Sequence, residues 1–125
     1  METQQDSAAI AELLEQYYFK GIYTGNTTLL AQAFSADALL TGDIKGQPYA
    51  KTVKQYMEGV AGRVSPEAAG NTFTPVILSV DVLNTTAMAK LHVKMYDFNY
   101  YNFITLQKTN GRWLIVHKTL THVDE

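Results

Sequence analysis

Few side chains in this sequence could do chemistry. The most informative is Lys118, which shares one side of a β-patterned run with Val116 and Leu120 in RWLIVHKTLTHV. A lysine turned into an apolar interior is driven towards its neutral form by desolvation unless a carboxylate faces it. Asp97 is the candidate carboxylate. In the run from Thr86 to Phe98, Ala89, Leu91, Val93 and Met95 alternate with Lys90, His92 and Lys94, and Asp97 then falls on the apolar side. Either a bulge shifts the register there or a carboxylate points inward. An Asp97–Lys118 pair would orient an anionic or carbonyl ligand. The competing readings are a lysine that snorkels to the rim and a pair that only specifies the fold.

The other ionisable groups are less directed. His92 lies between Lys90 and Lys94 and reads as solvated; His117, beside Ile115, reads as an interface or outer-face residue rather than a base. His122 shares the row of Lys118 near the chain end. The three show no ligand spacing with one another or with a carboxylate, so no metal site is expected. With no cysteine there is no thiolate nucleophile or ligand and no disulfide framework. No GxSxG elbow, P-loop or GxGxxG is present, and no cofactor is expected. Tyr17, Tyr49, Tyr56, Tyr96, Tyr100 and Tyr101 suit a pocket for a flat organic ligand, although tyrosines at helical spacing are more often core.

The elements that must position these groups are legible in the hydrophobic pattern. Two apolar runs flank Asn110-Gly111, whose residue types accept the positive φ angles of a tight hairpin turn. From Ser7 to Gly21 the spacing of Ile10, Leu13, Leu14, Tyr17 and Tyr18 predicts a helix, with residues 1–6 frayed. Asn26 is placed to cap a short helix through Leu29, Leu30 and Ala33, and Phe34 turns into the core. Ala38 to Thr41 and the bracketed Asp43-Ile44-Lys45 suggest two small strands around a turn. Pro48 suits the first turn of a third helix carrying Tyr49, Val53, Tyr56, Met57 and Val60. Residues 61–71, with Gly62, Pro66 and Gly70, read as a loop able to cross a cavity mouth. Thr72 to Leu83 is a strand that Pro75 confines to an edge or start, and Asn84-Thr85-Thr86 is the turn into the next strand.

At 125 residues and 46% hydrophobic content the chain fits one domain, residues 1–125, with a real core. A formal charge of −2 without a basic run leaves no footprint for nucleic acid, and no apolar N-terminal segment suggests a leader or a membrane span; a cytoplasmic protein is expected. Helices first and a meandering antiparallel sheet afterwards give an α+β domain. Three short helices cover one sheet face. The other, assigned Ile104, Leu106, Trp113, Ile115 and His117, is then expected to form a homodimer interface, the alternative cover being the chain's own termini and loops.

This layout resembles the nuclear transport factor 2-like, or SnoaL-like, superfamily over nearly the whole chain. The resemblance is carried by the first helix ending in YTGN, by FSADALLTG, by QPYAKTVKQYM after Gly46 and by the closing NFITLQKTNGRWLIVHK. Trp113, Ile115, Val116 and Lys118 make the ending most similar to the branch described as putative lumazine-binding. The resemblance implies a cone-shaped curved antiparallel sheet wrapped around three N-terminal helices, with a pocket between them and dimerisation through the outer face. It also implies that Phe103 and Thr105 face inward on one strand and Val116, Lys118 and Leu120 on the next.

The superfamily includes ketosteroid isomerase, polyketide cyclases and dehydratases as well as non-enzymes, so membership fixes no reaction. Tyr18 falls in register with the tyrosine by which the isomerase stabilises an enolate. Gly42, with Asp43 beside it, stands where the isomerase has its general base, and Thr105 where it has a protonated aspartate. That mechanism is therefore disfavoured. The favoured expectation is a non-catalytic or uncharacterised homodimer binding a small planar, partly polar ligand through Tyr18, Tyr56, Asp97, Phe103, Thr105 and Lys118. The alternatives are a cofactor-independent isomerase, dehydratase or cyclase using Asp97 or Lys118 as acid or base, and an interaction module working through its outer sheet face.

Overall fold

A computed structural model describes the backbone of residues 2–124 and the side chains of residues 4–124. The first helix is α-helical over Glu2–Leu13 (α1), widens to π geometry over Leu14–Phe19 and returns to α over Lys20–Thr24 (α2). It starts well before the expected Ser7; residue 1 lies outside the described residues. Asp6, expected to fray, instead accepts hydrogen bonds from the Trp113 indole N–H and the Lys108 ammonium, both at 3.0 Å. These bonds hold its carboxyl below the usual range and tie the helix to the last hairpin.

Helix α3 (Thr27–Ala33) is capped as expected, the Asn26 side chain accepting from the Leu29 N–H at 3.1 Å. Strand β1 (Phe34–Ile44) turns into β2 (Gln47–Thr52). Residues 47–52, read as the start of a helix, are thus an edge strand, where Pro48 leaves no central ladder bond unmade. Helix α4 begins only at Val53 and runs to Gly62, with Thr52 and Gln55 forming a reciprocal capping box. A short α5 (Pro66–Ala69) interrupts the following loop.

Strands β3 (Phe73–Leu83), β4 (Thr86–Met95), β5 (Phe98–Thr109) and β6 (Arg112–His122) complete a six-stranded sheet in the order β2-β1-β6-β5-β4-β3. Pro75 lies in the other edge strand, as expected. Asn110 and Gly111 make the predicted turn, with φ of 53° and 76°. The sheet is curved and unclosed, and the α+β cone is the observed architecture. One pairing departs from the antiparallel expectation: β1 runs parallel to β6. Gly42 permits this contact, because a Cβ there would lie 1.9 Å from the Leu120 carbonyl oxygen and φ is +151°.

The break at Asp97 is neither a bulge nor an inward carboxylate. Tyr96 and Asp97 are the β4–β5 turn, and Asp97 is exposed. A bulge does exist, but in β6: Thr105 pairs with His117 and Leu106 with Ile115, leaving Val116 as the extra residue. Strict alternation back from an inward Lys118 expels Ile115 and Trp113. The bulge admits all three. Trp113 and Ile115, expected on an outer interface, are accordingly core residues under the helices. Ile104 and Leu106, expected there too, pair with Lys118 and Ile115 on the inner row of the unbulged β5, and Ile104, Leu106 and Ile115 have no exposed surface. Phe103 and Thr105, expected inside, are on the outer face instead.

Candidate functional site

Between the π segment, α4 and the inner faces of β4, β5 and β6 lies a cavity of about 210 Å³. Its floor is Lys118, only 5% exposed, brought inward by the β6 bulge. Lys118 Nζ stands 5.1 Å over the Tyr18 ring and 4.8 Å over the Tyr56 ring. Phe34 packs against both rings, at 5.9 Å and 5.7 Å between centroids, and fixes them as one aromatic wall. The wall is set by two helices. Tyr18 sits within the π segment, whose extra residue per turn re-aims side chains, and Tyr56 on the buried stripe of α4.

The Tyr18 hydroxyl donates to Asn102 Oδ1 at 3.0 Å, from β5, and both groups are buried. Tyr49, Tyr100, Lys51 and Arg63 also line the space. Arg63 is held at the rim by its contact with the Tyr96 ring, 5.6 Å away, while the Tyr96 hydroxyl donates to the Val64 carbonyl oxygen. The loop read as crossing a cavity mouth thus supplies a cation to the rim.

Two effects compete at Lys118. The π faces beneath it favour the ammonium form, whereas burial and the nearby Arg63 charge favour the neutral amine. Burial wins, and the pKa falls from 10.5 to about 7. Burial also raises the phenols: Tyr18 well above its ordinary value, Tyr56 and Tyr49 upward, and Tyr100 to about 12. Among the described residues lining the cavity there are three cations, four phenols and one amide, and no carboxylate.

Of the residues expected to contact a ligand, the structure brings together Tyr18, Tyr56 and Lys118. It does not bring Asp97, which stays in its turn; the Asp97–Lys118 pair is not formed. Phe103 and Thr105 are across the sheet. Asp43 is also outside, its carboxylate accepting from the Gly46 N–H at 2.9 Å. Asn102 was missed: an asparagine among aromatic strand residues gives no sign of which face it takes.

The histidines lie apart from the cavity. His92 is half-buried rather than solvated, stacked on Tyr101 at 4.4 Å and hydrogen-bonded to Asn99. His117 is on the outer face, sharing hydrogen bonds with Thr41 and Thr119 at 3.2 Å each. His122, near the chain end, accepts from the Asn99 N–H at 3.0 Å and meets Asp124 at 2.8 Å. Among the described residues no group of three or more His, Cys, Asp or Glu is placed to hold a metal ion, and no helix is long and apolar enough to cross a membrane.

Solved structures share this fold. An NTF2-like protein of unknown function from Shewanella baltica OS155 is 23% identical with a TM-score of 0.84, covering 97% of this chain and 96% of its own. One from Silicibacter pomeroyi DSS-3 is 21% identical with a TM-score of 0.85, covering 96% and 98%. A third, from Methylobacillus flagellatus KT, is 20% identical with a TM-score of 0.84, covering 96% and 94%. No curated protein matches the chain. The family model described as "Putative lumazine-binding" matches residues 5–121. With this match over nearly the whole length, the chain belongs to the putative lumazine-binding family, and its cone and order of elements are the fold of NTF2-like proteins.

Proposed function

We propose that the protein binds a small, flat, anionic or oxygen-rich molecule in the cone cavity, with Lys118 as its anchor. The observation that carries this reading is a buried lysine facing a cavity lined by cations and phenols, with no carboxylate among the described lining residues. An anion entering there meets no negative charge among the described lining residues, and its own charge is neutralised by Lys118 and by Arg63 and Lys51 at the rim. The tyrosine rings supply flat apolar walls, and a cavity of about 150 Å³ already accommodates a benzene ring. The acid–base alternative loses its proposed carboxylate, since Asp97 is outside.

The binding unit is a homodimer joined through the outer sheet face. There Leu39, His117, Thr105 and Met88 form one row across four strands, and Phe103 lies in the next, with Leu39, Met88 and Phe103 about half exposed. Sedimentation of wild type against Phe103→Asp tests it: a wild-type monomer refutes the dimer.

Calorimetric titration with benzoate, benzamide and lumazine tests the ligand reading. Benzoate is expected to bind at least about tenfold more tightly than the uncharged, isosteric benzamide, and Lys118→Met to abolish that preference. Equal binding of the two by the wild type refutes the anchor.

A further inference from the structure

The state of Lys118 allows more than electrostatic attraction. Of the eight lysines in the sequence it alone is buried among the described residues. Its Nζ makes no hydrogen bond or ion pair with any described residue; it touches two π faces and opens on the cavity. A structural lysine of this depth ordinarily has a carboxylate partner. This one keeps its lone pair available to whatever enters.

We propose that Lys118 captures carbonyl compounds covalently, forming a reversible imine with the aldehyde or ketone group of a flat oxo acid whose carboxylate lies towards Arg63 and Lys51. The proposal rests on the cavity being the ligand site. In the forward step the Nζ lone pair attacks the carbonyl carbon, and the C=O π electrons move to oxygen to give a carbinolamine. The C–O bond then breaks and a C=N bond forms; the oxygen leaves as water with the two protons of the amine, and hydrolysis reverses the sequence.

The surroundings suit each stage. The nucleophile must be neutral, and burial among Tyr18, Tyr56 and Leu120, with Arg63, Lys51, Tyr49 and Tyr100 as the other titratable groups around the cavity, keeps it so just above neutral pH. The Tyr18 proton is committed to Asn102. The Tyr56 hydroxyl makes no hydrogen bond to a described residue and remains protonated, so it is the buried donor for the departing oxygen.

Sodium cyanoborohydride with 4-formylbenzoate at about pH 7.5 traps the imine as a stable secondary amine that peptide mapping locates. Lys118 is expected to be modified about tenfold or more faster than any of the other seven lysines, and excess benzoate to slow that modification about fivefold or more while leaving the others unchanged. Lys118→Arg should lose the fast label; if it does not fold, benzoate protection of the wild type decides alone. Label spread evenly over the lysines, or at Lys118 without protection, overturns the proposal. Benzoate binding by calorimetry separates the two readings: binding without Lys118 modification leaves the ligand site standing and removes imine formation, whereas neither event removes both.

Discussion

The depressed pKa of Lys118 has a measurable cost in stability. Lys118 is lowered from 10.5 to about 7 in the folded chain and is free to take its ordinary value when unfolded. Between these values the unfolded state binds more protons, so stability must rise with pH across the window from about 7 to 10.5, at about 1.4 kcal/mol per unit. Below it, the charged form costs the folded state about 5 kcal/mol relative to the neutral amine, and from pH 7 to 9 about 2 kcal/mol of this is recovered. The cavity phenols do not interfere, since burial shifts all four upward. Urea unfolding of wild type and Lys118→Met at pH 7 and pH 9 isolates the effect, because every other titration is common to both chains. The advantage of the methionine variant should shrink by about 2 kcal/mol over that interval. If the two stability curves run parallel, Lys118 titrates normally when folded, and the burial argument is wrong.

Other perturbations report on neighbouring parts of the site. Tyr18→Phe leaves the buried Asn102 amide without its donor and should cost about 1–3 kcal/mol in urea unfolding. Gly42→Ala forces a methyl group into the Leu120 carbonyl and should destabilise by about 3 kcal/mol or more, seen as a large fall in melting temperature. Asp6, whose folded pKa lies below 3.8, contributes stability present above that value and lost as pH falls through the folded pKa. In Asp6→Ala, acid unfolding followed by Trp113 fluorescence should lose this component. Benzoate affinity should weaken above about pH 7, by up to about tenfold per unit, as unliganded Lys118 sheds its proton.

The sequence showed much of the fold because its signals are local. Asn26 before Leu29, Asn110-Gly111 between two apolar runs and Pro75 near a strand start each act within a few residues, and each is found in its expected place. Pro48 illustrates the limit: it is equally suited to a first helical turn and to an edge strand, and only pairing with β1 decides. The site was legible in part. Tyr18, Tyr56 and Lys118 were identified and do meet. Asp97 misled because a hairpin turn of Tyr96 and Asp97 mimics a broken alternation. Trp113 and Ile115 lie off the expected face because alternation cannot reveal the residue inserted in β6. Phe103, Thr105, Ile104 and Leu106 do so because β5 is apolar on both faces, and its unbroken alternation separates two rows without marking which is inner. Asn102 carries no signal of its own; only its partner Tyr18, 84 positions earlier, gives it a role.

The extra residue at Val116 divides β6 into two halves that are out of phase. The first, with Trp113 and Ile115, is counted in step with the packing under the helices; the second, with Lys118 and Leu120, is counted in step with the cavity. Removing a single residue at this junction changes no chemistry in the sequence, yet it would rotate one half against the other and turn either the core or the amine to solvent. The ability to bury a lone amine is therefore stored in the spacing of the strand rather than in the identity of any side chain, and a chain lacking that one-residue offset could keep a lysine at the same place in its sequence without keeping it in the cavity.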